Sequence, residues 1–116
     1  MVLDQISLAV GKYKQVRVTF GRYPNGNTGI VLYEHETGIP LLKATAGIER
    51  FLPPTQVAIK DWLENEGLAE ELKRHKIIEQ RPAGGVSSGF VFINIYKLHP
   101  ECIALLQEQG FFKEQA

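Results

Sequence analysis

Asn25-Gly26 lies between two apolar, β-prone stretches, and this arrangement constrains the chain more than any other feature. Asparagine and glycine tolerate positive φ at adjacent turn positions, the geometry that closes two antiparallel strands. On one side Val16, Val18 and Phe20 alternate with Gln15, Arg17 and Thr19, and a period of two gives a strand one buried face. On the other side Ile30 to Tyr33 form a short apolar run. The pattern extends both ways. Ile6, Leu8 and Val10 alternate with Ser7 and Ala9, and Gly11-Lys12-Tyr13-Lys14 is short enough to be a hairpin. His35-Glu36-Thr37-Gly38 reads as a second turn, and Ile39 to Ala46 as a fourth strand. Residues 1–46 therefore read as an antiparallel meander.

Gly47 and Pro53-Pro54 exclude regular helix or central strand from 47–55. Gln56 to Lys60 reads as a short strand. Asp61-Trp62-Leu63-Glu64 could cap and start a helix, but Gly67 would weaken it by about 1 kcal/mol relative to Ala. A turn at Glu64-Asn65-Glu66-Gly67 followed by a helix from Leu68 to His75 is the better reading. Leu68 and Leu72 then share a face, and Glu70 and Arg74 pair at i,i+4. Ile77-Ile78 return to the sheet. Arg81 to Gly89, with Pro, Gly and Ser, reads as a loop. Phe90 to Tyr96 is the most β-prone run. Phe90, Phe92 and Tyr96 lie on one face and Val91, Ile93 and Ile95 on the other, which predicts a central strand. His99-Pro100-Glu101 starts a last helix, with Ile103 and Leu106 on its apolar face and Gly110 ending it.

These elements predict an α+β protein: a single domain over 1–116, with a curved antiparallel sheet of six or seven strands and two short helices. With 44% hydrophobic residues the chain can build its own core. Cys102, the single cysteine, cannot form an internal disulfide. No stretch reaches the ~20 apolar residues of a membrane span. Met1 to Gln5 lack the basic and apolar regions of a signal peptide, so a cytoplasmic setting is expected.

Candidate chemistry is thin. On a strand, Glu34 and Glu36 would face away from His35, so the three cannot converge on a metal. His75 and His99 have no ligand spacing around them. Neither a metal nor any cofactor is expected. Cys102 follows a helix start, where the dipole can lower a thiol pKa, but its neighbours Ile103 and Ala104 favour a small buried residue. Ser87-Ser88 lacks a nucleophile-elbow setting, so no catalytic residue is assigned and no enzyme is expected. Gly84-Gly85-Val86-Ser87-Ser88-Gly89 has the composition of a phosphate cradle without its lysine or following helix. A nest of its backbone amides, with Arg81 nearby, is the candidate for binding a small anion; the plain alternative is a flexible connection.

Charge sums to zero but is sorted locally. Lys12, Lys14, Arg17 and Arg22 face only Asp4 among residues 1–33, and with Tyr13 and Tyr23 they could contact a nucleic-acid backbone and its bases. Zero net charge makes nucleic acid the less favoured partner. Asp61, Glu64, Glu66, Glu70 and Glu71 form an acidic run around Trp62 and Leu63. Such a run is commonly a solvated face, and Trp62 commonly core. The same mixture also suits docking on a basic protein groove, and these six residues (Asp61, Trp62, Glu64, Glu66, Glu70 and Glu71) are the candidate partner surface. Phe111-Phe112 beyond Gly110 must either fold back or meet a second chain, and unpaired strand edges favour a homodimer.

Phe20-Gly21-Arg22-Tyr23, Asn25-Gly26, Ala44-Thr45-Ala46, Val57-Ala58-Ile59-Lys60-Asp61 and Glu64-Asn65-Glu66-Gly67-Leu68, leading to Leu72 and Ile77-Ile78, carry a resemblance. In that order, over about residues 16–78, the chain resembles a small family of plasmid- and phage-encoded proteins without an assigned activity. Arg50 to Pro54 and the segment after Phe90 depart from it. The resemblance implies an accessory role on a mobile element: a non-enzymatic protein that occludes a host partner, such as a defence complex blocked by an anti-CRISPR. It brings no catalytic residue with it.

Overall fold

The computed structural model describes residues 2–6, 16–62 and 65–112. Four antiparallel strands, β1 (Val2–Ile6), β2 (Val16–Arg22), β3 (Thr28–Glu34) and β4 (Pro40–Lys43), form one sheet in that order. Period-two patterning has its expected effect. Val16, Val18 and Phe20 of β2 and Ile30 and Leu32 of β3 are buried, with Val18 opposite Leu32 and Phe20 opposite Ile30. The β2–β3 loop is longer than a two-residue turn. Only Gly26 takes positive φ (91°), while the Asn25 Oδ1 accepts from Asn27 N at 3.0 Å. β1 begins earlier than the alternation from Ile6 suggested; the rest of that stretch and the hairpin with Lys12, Tyr13 and Lys14 lie outside the described residues.

The second sheet has three antiparallel strands in the order β5-β7-β6: β5 (Gln56–Ala58), β6 (Gly84–Ser88) and β7 (Val91–Lys97). One curved sheet of six or seven strands is therefore corrected to two sheets, of four and three strands. Among the described residues their backbones pair at one antiparallel bridge, Thr45 to Ile59. The fourth strand ends at Lys43, short of the expected Ala46, because the chain beyond that bridge turns into the Gly47–Pro54 segment. The expected loop at Arg81–Gly89 is also corrected: Gly84 to Ser88 is strand, made so by pairing with β7 despite its poor β propensity.

Helix α1 (Leu68–Arg74) follows Gly67, which sits at φ 89°, as the turn reading expected. It buries Leu68, Ala69 and Leu72. Helix α2 (Pro100–Glu108) starts with Pro100 after His99, whose side chain accepts from Glu101 N. The backbone turns at Gly110 (φ 79°) and folds back. Phe111 packs edge-on against Phe20 with ring centroids 6.3 Å apart. That answers the choice posed for Phe111, and the expectation of a homodimer then rests on open strand edges alone.

Two buried clusters result. The larger joins both helices, Ile77, Ile78 and Leu98 to the inner face of the first sheet. The smaller contains Leu52, Ala58, Ile93 and Ile95, with Trp62 and Val86 against it. β5 and β7 divide residue by residue between them. The Val57–Tyr96 pair belongs to the larger cluster and the Ala58–Ile95 pair to the smaller. β7 is the centre of its sheet, as expected, but its two faces are not both apolar along their length. Phe90 falls in the preceding turn, and Phe92 and Asn94 are exposed.

Candidate functional site

The acidic run comes out largely engaged with its own fold. Gly67 supplies no side-chain cap to α1, and Asp61 acts in its place: its Oδ1 accepts from Ala69 N, the second N–H of the helix, at 3.3 Å. Trp62 is half-buried against the smaller cluster. Glu70 accepts from Lys73 Nζ at 2.9 Å, and Glu71 pairs with Arg74. The expected Glu70–Arg74 pair is thereby corrected to two i,i+3 pairs. The hydrogen bond to Glu70 holds the Lys73 ammonium above its ordinary pKa, and Glu71 does the same for Arg74. Glu66 stays exposed; Glu64, with Leu63, lies outside the described residues. Of the six candidate partner residues, four thus serve packing, capping or local pairing.

The anion candidate changes character too. In an extended strand, successive amides point to opposite sides, so Gly84, Gly85, Ser87 and Ser88 do not form the concave nest that the composition suggested. Arg81 is exposed and lines an open depression with Glu79, Gln80, His99 and Pro100, apart from those amides. Among the described residues, no group of three or more His, Cys, Asp or Glu side chains gathers. Cys102 is 1% exposed, and burial pushes its thiol up to about 12.

What the sequence reading missed is the β6–β7 hairpin as a surface. Phe90 at its tip is fully exposed and Phe92 is 64% exposed. Gly85 explains where the second ring lies. A Cβ at that position would come within 2.3 Å of Phe92 Cζ, so the far edge of the ring reaches over the bare backbone of the neighbouring strand. Ser87 stands directly opposite Phe92 in the ladder, and Asn94 follows on the same face. β6 is the end of its sheet, and no strand pairs with its outer edge among the described residues. Its five residues carry no charge and no proline, the devices that ordinarily protect such an edge. Asn94, between Phe92 and Tyr96, was the available signal that this face leaves the core.

Elsewhere, no helix among the described residues is long and apolar enough to cross a membrane. Compared with family models, curated proteins and solved structures, the chain matches none.

Proposed function

We propose that this chain is a non-enzymatic binding protein of a mobile element, acting by covering a surface of a host protein complex. The β6–β7 hairpin carries the reading: two exposed phenylalanines stand beside a strand edge that no other strand pairs with among the described residues, touched there by the Arg50 guanidinium, which donates to Gly85 O at 3.4 Å. Such an edge accepts an extended segment of a partner through main-chain hydrogen bonds, while neighbouring aromatic rings supply anchors. The acidic turn is no part of this surface. Trp62 and Val86 pack against the same small cluster, and Asp61 and Glu66, on either side of that turn, are exposed and available as steering charge. A rim charge steers association more than it holds the complex.

The test is capture from a bacterial host lysate on immobilised protein, with mass spectrometry of what is retained. One stable protein complex, insensitive to nuclease and lost from Phe90→Ser/Phe92→Ser, is the expected result. Both rings are exposed, so the double variant should fold. Recovery that depends on nucleic acid, or that survives the double substitution, overturns the reading.

A further inference from the structure

On the outer face of the first sheet, away from the hairpin, a depression of about 210 Å³ opens between Tyr23 and Tyr33. Its floor is Gly21 and Gly29, directly opposite each other on β2 and β3. Thr19, Val31 and Lys43, in register across three strands, form the next row and its raised wall.

The two glycines answer to different demands. At position 29 a Cβ would lie 3.1 Å from the Tyr23 ring, so Gly29 seats that ring, whose hydroxyl bonds Thr45 Oγ1 at 3.0 Å. At position 21 a Cβ would meet nothing within 4 Å, and the backbone is outside the positive-φ region. Glycine inside a strand weakens it and often marks close approach of something else. Among the described residues no contact requires one at 21; its effect is to leave the floor bare.

Among the described residues, the charge around this floor has one sign. The lining contains Arg22 and Lys43 and no carboxylate. Arg22 is directed to the inner face, where it donates to Phe111 O at 3.0 Å and stacks over that ring. Lys43 is exposed at the rim, and among the described residues no carboxylate pairs with it. The volume is below the ~300 Å³ at which pockets begin to enclose drug-sized ligands, which limits the occupant to about one ring.

We infer that this depression binds a small, flat organic anion, a single aromatic ring bearing a carboxylate. The ring lies on the Gly21–Gly29 floor between the tyrosines, and the carboxylate meets Lys43. Titration of the ¹⁵N-labelled protein with benzoate, benzamide and acetate at constant ionic strength tests it. Benzoate should shift the amides of 19–23, 29–33 and 43–45, with benzamide about tenfold weaker for want of the charge and acetate weaker for want of the ring. Gly21→Val fills the floor and should abolish these shifts at a melting temperature no lower than that of the wild type, since valine suits a strand better than glycine does. Lys43→Gln, an exposed change that does not depend on that variant folding, should erase the preference for benzoate over benzamide. Absence of localised shifts, equal binding of benzoate and benzamide, or undiminished binding by a folded Gly21→Val overturns the inference.

Discussion

Burial against the larger cluster pushes the Cys102 thiol from 9.0 up to about 12. The unfolded chain therefore releases this proton first. Stability from this group is fully present below pH 9, declines as pH rises toward about 12, and falls by on the order of 1 kcal/mol per pH unit between. Lys73, raised from 10.5 by its bond to Glu70, acts in the same direction from the upper part of that range onward. Denaturant midpoints should fall between pH 9 and 11, and Cys102→Ser, though less stable at neutral pH, should flatten that slope. In the folded protein Cys102 should also resist iodoacetamide at pH 8 and react only on unfolding, as mass shift against urea would report. The sequence reading of this residue as small and buried came from Ile103 and Ala104 beside it, and the helix-start dipole was outweighed by burial. Phe92 was less legible, because its exposure depends on a glycine seven residues upstream on another strand.

At the scale of elements, α1 depends on a carboxylate outside itself. Asp61→Ala should destabilise the protein by about 1 kcal/mol, and Asp61→Asn by less because an acceptor remains, whereas exposed Glu66→Lys should change the melting temperature little. Thermal unfolding of the three variants separates capping from plain surface charge. The turn before α1 could be read from Glu64 to Gly67 because glycine fixes a helix start locally. β6 could not be read that way. Gly84, Gly85, Ser87 and Ser88 have no intrinsic preference for a strand, and their conformation is imposed by β7. The same dependence on partners hid the division into two sheets. Alternation identifies which residues form strands, but only the single Thr45–Ile59 bridge shows where continuous pairing stops.

For the whole molecule, the Cα radius of gyration of 13.3 Å matches the ~13.4 Å expected for a folded domain of this length, so a chain of this size with no disulfide closes on itself. The Phe111 seat on Phe20 and Arg22 is part of that closure. Phe111→Ala should lower stability by about 3 kcal/mol without altering mass in light scattering, and a change from dimer to monomer would instead place this ring at an interface. The split of β5 and β7 between two clusters has a kinetic and mechanical side. In a strand with one wet face, polarity forbids a one-residue slip. Here a slip would drive the Tyr96 ring toward the space of Ala58, Ile93 and Ile95 and leave isoleucine where a tyrosine had filled the larger core. Volume reinforces the polarity of Asn94 in enforcing the β5–β7 pairing, so misregistered pairings are rejected by overpacking on one side and a void on the other. The face on which Phe92 meets the solvent is thereby held from several residues away, by the difference in size between a tyrosine and an alanine.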